Sequence, residues 1–151
     1  MSTLAAAVRA AVAAVDDPEL PGVSIGALGM VHDVAVDERG VRIELVPTHA
    51  GCPALEIIAA DVRTAATRAG ADADVEVVWR RDLVWSPADV SLGARTTLAA
   101  EFTVAFRATN SSLRCPVCGS HAVEDRAAVG ATRCRSVAWC AACRNVVDVM
   151  R

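Results

Sequence analysis

The chain has 151 residues, enough for one ordinary domain and a small second one. Apolar residues make up 54% and charged residues 22%, so it buries a core. No apolar run approaches the ~18 residues of a membrane span. The net charge of −3 comes from 15 arginines and 18 acids with no lysine; residues 1–111 carry −6 and residues 112–151 carry +3, too little cation to recruit nucleic acid by charge alone.

The opening "MSTLAAAVRA" lacks a basic stretch before an apolar run and is read as a helix, not a signal peptide. Leu4, Val8, Ala11, Val12 and Val15 recur at helical spacing, with Ser2 or Thr3 as cap. Asp17-Pro18 ends this helix, because the residue before a proline avoids the helical region. "LPGVSIGALG" reads as a loop punctuated by glycine and proline. Residues 30–37 and 41–47 alternate apolar and polar around the turn "DERG", which predicts a hairpin. Leu55, Ile58, Val62, Ala65 and Ala69 predict a helix over 54–69, stopped by Gly70. Val75, Val77 and Trp79 predict a strand, "SPADVSLGARTTLAAEF" a turn and a short helix, and 105–113 a linker. The order helix, strand, strand, helix, strand, helix predicts a small two-layer α/β (α+β) domain over 1–108, with a separate ribbon over 109–151.

The cysteines fall at 52, 115, 118, 134, 140 and 143. Cys115 and Cys118 in "CPVCGS", and Cys140 and Cys143 in "CAAC", form two knuckles with 21 residues between them. Two such knuckles place four thiolates at the corners of a tetrahedron, which suits zinc; spacing alone does not separate zinc from iron. A segment of about 40 residues with little core of its own needs such a staple. A site closed by four thiolates leaves no open position, so the metal is structural. Cys134 lies between the knuckles and is not needed for the tetrahedron; read from the residues, it is a buried small hydrophobe, with a ligand or redox role as the alternative. His121 is placed on the ribbon surface, and His32 on a strand with a structural role.

Cys52, in "THAGCPALE", stands alone before a helix that proline suits at its first turn. The helix dipole favours a thiolate there. Thr48 and His49 lie upstream on the loop and Glu56 lies one turn into the helix. An inert thiol filling space under the helix is the alternative reading. No complete catalytic constellation occurs: there is no G-x-S-x-G, phosphate loop or H-E-x-x-H, and Cys52 with His49 lacks a third, orienting group.

In order, "DDPELPGVSIGALGMVHDV", "VPTHAGCPALEII", "VVW…VWSPADVSLGARTTLAAEF" and "CPVCGS…ATRCRSVAWCAAC" resemble the PaaD family, from about Val15 to the last residue. These are small accessory proteins of the bacterial phenylacetate pathway, also called the J subunit of the phenylacetyl-CoA oxygenase. The N-terminal part is similar to the SufT-like domain of iron–sulfur assembly proteins. The resemblance implies a cytoplasmic, non-catalytic factor that helps assemble metal centres of the phenylacetyl-CoA epoxidase, with the epoxidase subunits or its iron–sulfur reductase as partners. By the family's motifs, Asp17, Glu19, Thr48, Cys52 and Glu56 form a site handling iron or a cluster, and Cys134 falls where the family carries a cysteine. Leu55 replaces the family's threonine, Ala27 an aspartate and Val90 a tryptophan. One protein thiolate is too few to keep a cluster, so the site is transient or completed by a second subunit, a homo-oligomer included. The cofactors implied are zinc and, transiently, iron or an iron–sulfur cluster. The rival classes are a zinc ribbon that binds protein or nucleic acid, against which the acidic first domain counts, and a thiol enzyme using Cys52.

Overall fold

A computed structural model describes residues 3–71, 74–107 and 112–151. The chain divides into two compact units, Met1–Trp85 and Ser86–Arg151.

In the first unit, α1 (Thr3–Ala13) buries Ala5, Val8 and Val12, the stripe that its apolar spacing dictates. Thr3 is already helical, and Ser2 lies outside the described residues. The segment after it departs from the expected loop. β1 (Asp16–Asp17) pairs antiparallel with β2 (Leu20–Ser24), because Leu20 and Val23 are driven inward while the chain reverses at Pro18-Glu19. Gly26 follows where α1 ends against the loop; a Cβ there would meet the Ala13 Cβ and carbonyl oxygen at 2.6 Å, so only glycine fits.

β3 (Val31–Asp37) and β4 (Gly40–Leu45) form the expected hairpin, with a bulge at His32. From β4 the chain crosses through α2 (Leu55–Arg68) to β5 (Val75–Trp79), which lies parallel to β4 in a sheet of order β3-β4-β5. Val41, Ile43 and Leu45 alternate inward against the helices. The helices form one layer: α1 packs on β3, α2 on β5, and the two on each other. The other face of the sheet is polar. There Arg42 pairs with Glu76, and Arg80 with both Glu44 and Asp82. The Arg80 guanidinium, hydrogen-bonded to Asp82, holds that carboxyl down at about 2.

The second unit starts at a short 3-10 turn (Pro87–Asp89), capped reciprocally by Ser86 and Asp89. α3 (Leu92–Phe102) follows, its first turn capped by the Ser91 hydroxyl. The expected linker over 105–113 is partly strand: β6 (Val104–Phe106) pairs parallel with the last strand, while residues 108–111 of that stretch lie outside the described residues. β7 (Val123–Ala127), β8 (Arg135–Cys140) and β9 (Asn145–Met150) form an antiparallel meander, giving the order β6-β9-β8-β7. The expected boundary at 108/109 therefore differs from the observed division. Pairing of β6 with β9 draws α3 and β6 into the ribbon unit. A buried cluster around the knuckles includes two of the cysteines: Ala105, Leu113, Cys115, Ala138, Cys140, Val147 and Val149. Among the described residues, no helix is long and apolar enough to cross a membrane.

Candidate functional site

Both knuckles have the same local construction. In the first, the Gly119 N–H donates to the Cys115 carbonyl at 2.9 Å; in the second, the Arg144 N–H donates to the Cys140 carbonyl at 2.8 Å. Each turn closes on a left-handed residue, Gly119 at φ 75° and Arg144 at φ 58°. Glycine takes that conformation freely, whereas arginine does so at a cost of about 1–2 kcal/mol. The turns aim four Sγ atoms at one point, all within 4.8 Å of one another. The Cys115–Cys143 and Cys118–Cys140 pairs stand 3.7 and 3.6 Å apart. That is far too long for a disulfide at about 2.05 Å. It matches the edge of a tetrahedron with metal–sulfur bonds of about 2.3 Å, which is about 3.8 Å.

At Cys118 the Ser120 backbone favours the thiolate, but desolvation and three neighbouring sulfurs outweigh it and push the thiol up to about 11. At Cys143 the Asn145 side-chain amide, 3.5 Å from Sγ, leads its neighbours in pulling the thiol down to about 7. Cys134 does not join the four. It is buried at the start of β8, with Sγ 3.1 Å from the Thr132 hydroxyl. His121 is exposed, as expected, with Nδ1 near Ser112 Oγ and the Leu113 carbonyl.

The lone thiol belongs to the first unit. Cys52 lies on the loop from the carboxyl end of β4 to α2, the position where open α/β sheets place ligands. Helix α2 starts at Leu55, and its cap Ala54 offers no side-chain hydrogen bond. Proline therefore stands one residue before the cap instead of inside the first turn. The loop is held by short-range bonds: the Cys52 N–H donates to the His49 carbonyl at 3.1 Å, and the Gly51 N–H to His49 Nδ1 at 3.1 Å. His49 thus spends one ring nitrogen on the turn and is not arranged as a base for the thiol. Arg81, just beyond β5, donates to the Ala50 carbonyl at 3.2 Å and ties the loop to the neighbouring strand end.

The Asp-Pro-Glu segment reaches the same place. Asp17 is buried, and its Oδ1 accepts the Glu19 N–H at 2.8 Å, an Asx turn made rigid by Pro18. The turn aims Glu19 at the half-buried thiol, and Cys52 Sγ donates to Glu19 Oε2 at 3.7 Å. Asp17, Glu19 and Cys52 are therefore brought together. Thr48 is half-buried on the same loop, and Glu56 is exposed in the first turn of α2. Arg81 was not singled out from the sequence; only its place next to a strand end hinted at a role.

Known proteins match both parts. Residues 5–79 match the family described as iron–sulfur cluster assembly protein, and residues 99–151 match the PaaD zinc beta ribbon domain. A putative 1,2-phenylacetyl-CoA epoxidase subunit from Escherichia coli (strain K12) is 32% identical over 144 residues, which is 91% of this chain and 86% of the relative. The Fe-S protein maturation auxiliary factor YitW of Bacillus subtilis (strain 168) is 39% identical over 84 residues, 51% of this chain and 81% of its own. Among solved structures, a DUF59 domain of unknown function from Bacillus anthracis superposes with a TM-score of 0.58 at 34% identity, covering 64% of this chain and 92% of that one. The conserved hypothetical protein TM0487 from Thermotoga maritima gives 0.53 at 27%, covering 68% and 94%. With a relative alike across nine-tenths of the sequence and the ribbon matched in its own right, the chain belongs to the PaaD family.

Proposed function

We propose that the chain is an accessory factor, not an enzyme, that helps mature an iron–sulfur or iron centre of a phenylacetyl-CoA epoxidase complex. The observation that carries this reading is the Cys52–Glu19 contact, a soft sulfur donor held beside a carboxylate by a rigid Asx turn. Sulfur suits iron–sulfur chemistry, and a carboxylate suits the hand-over of a harder ferrous ion. One thiolate and one or two carboxylates are too few to retain a cluster. Iron is therefore cargo in this reading, and the coordination is completed by a client subunit, the complex's iron–sulfur reductase or a second copy of the chain. Thr48 and Glu56 flank the thiol. Cys134 lies in the second unit, buried beside the Thr132 hydroxyl.

Cys115, Cys118, Cys140 and Cys143 fit zinc by donor type and spacing. Zinc bound by four thiolates supplies folding energy and no chemistry of its own. A relative named as a putative phenylacetyl-CoA epoxidase subunit and another named as an Fe-S protein maturation auxiliary factor support the same reading. The protein acts in the cytoplasm, where such thiols stay reduced.

Growth on phenylacetate tests the proposal. A strain lacking the protein should grow poorly, and a Cys52→Ser copy should fail to restore growth although the protein accumulates to normal levels. Restoration by Cys52→Ser would remove the thiol from the mechanism.

A further inference from the structure

The ribbon sheet carries a solvent-open groove of about 620 Å³ within the second unit. β6 and β7 are the outer strands, which a flat sheet would hold about 14 Å apart. Yet Arg107, just past β6, pairs with Asp125 on β7 at 2.7 Å. The sheet is bent far enough for its two edges to be latched by an ion pair, and the groove lies beneath that latch. Its floor continues the apolar core: Val149 belongs to both, and Ser136, its register partner on β8, adds a hydroxyl.

The rim is cationic by construction. Arg126 is the extra residue of a β-bulge, since Asp125 through Ala127 face only Ala138 and Val137. In a regular strand, neighbours point to opposite faces; the bulge lets Asp125 and Arg126 line one groove. Arg151, at the end of β9, brings a third guanidinium and donates to the Ala128 carbonyl. Counting side chains, three arginines stand against one aspartate in the lining. The Asp125 carboxylate already occupies one of the three, with both oxygens within 2.8 Å of the Arg107 nitrogen. Among the described residues, the remaining cations pair with an exposed acid, Glu124, and a main-chain carbonyl.

We propose that this groove binds a small organic carboxylate with an apolar body, the head on Arg126 and Arg151 and the body over Pro87, Ala127 and Ala128. Guanidinium forks match carboxylates, and a volume of this size is that of a small-molecule site. Octanoate is the probe, added to zinc-loaded full-length protein and followed by amide NMR. Saturable shifts at Ala127, Ser136 and Val149 are expected. Arg126→Ala and Arg151→Ala should each weaken binding about ten- to a hundredfold, the scale of one hydrogen bond to a charged group. Arg133→Ala removes an equal charge from an exposed site outside the lining and should leave binding unchanged. Acetate, without the body, and octanol, without the charge, should bind far more weakly. The proposal is overturned by an absence of saturable shifts, by octanol or acetate matching octanoate, or by Arg133→Ala losing as much as Arg126→Ala. Unchanged amide spectra of the free variants show that each still folds.

Discussion

Removing the ribbon metal should open the knuckles and strands β8 and β9 and spare the first unit. Cys115 and Cys140 are each 1% exposed or less, so the same two residues are metal ligands and core. Apart from alanines and cysteines, the buried side chains packed around the knuckles are Leu113, Val147 and Val149. Full burial of three such side chains contributes about 5–9 kcal/mol at about 1.5–3 kcal/mol each. A structural zinc contributes about 10–16 kcal/mol by itself. At the knuckles the metal therefore outweighs the apolar packing, while Leu98, Val104 and Met150 are buried elsewhere in the same unit. The first unit keeps Val8, Val12, Leu28, Ile43, Leu45, Ile58 and Val62, all 1% exposed or less, and has no such dependence. The perturbation is Cys140→Ser, compared with Cys134→Ser and with chelation of the unaltered chain. Native mass spectrometry reads zinc, and hydrogen exchange reads each unit. Cys140→Ser and chelation should lose the metal together with amide protection in β8 and β9, while β3, β4 and β5 stay protected. Cys134→Ser should keep its zinc. Persistent protection of β8 and β9 in zinc-free protein would show that the apolar packing holds without its metal.

Two further outcomes follow from the same geometry. Timed iodoacetamide labelling of the metal-loaded chain should modify Cys52 first, because the ribbon thiols are ligated and Cys134 is buried. Arg144→Gly should leave zinc in place and change stability by less than about 1 kcal/mol, in the stabilising direction, since relief of the left-handed backbone outweighs the added freedom of the unfolded chain. Thermal unfolding of the loaded protein measures this, and clear destabilisation would show that the arginine side chain holds the knuckle.

What the sequence revealed depended on how local the signal was. The knuckles, the β3–β4 hairpin and α2 each carry their pattern within a few residues, and each was readable in advance. The β1–β2 ladder was not. Its strands are too short for alternation to register, and the glycines and proline suggested a loop. β6 was missed for a different reason: its partner β9 lies about 40 residues away, and a three-residue strand with one neighbour has no periodicity of its own. The unit boundary moved with it. At the thiol site the motifs pointed to Asp17, Glu19 and Cys52, but their contact is tertiary, closed across 33 residues by a turn that only the fold orients. Arg144 shows the limit of composition rules. The turn after the second knuckle calls for glycine, as at Gly119, and the chain has arginine in its place. The bulge at Arg126, on which the ribbon groove depends, likewise exists only as an offset in strand register.

If Cys52 handles iron while the ribbon only holds structure, the two roles separate in one comparison. It is the iron content of the epoxidase complex and its reductase, isolated anaerobically from strains carrying the unaltered chain, Cys52→Ser or no copy, with the zinc content of the chain determined alongside. The complex from the last two strains should be poor in iron, and the Cys52→Ser chain should keep its zinc. Normal iron in the complex from the Cys52→Ser strain would contradict a role for the thiol in handling it.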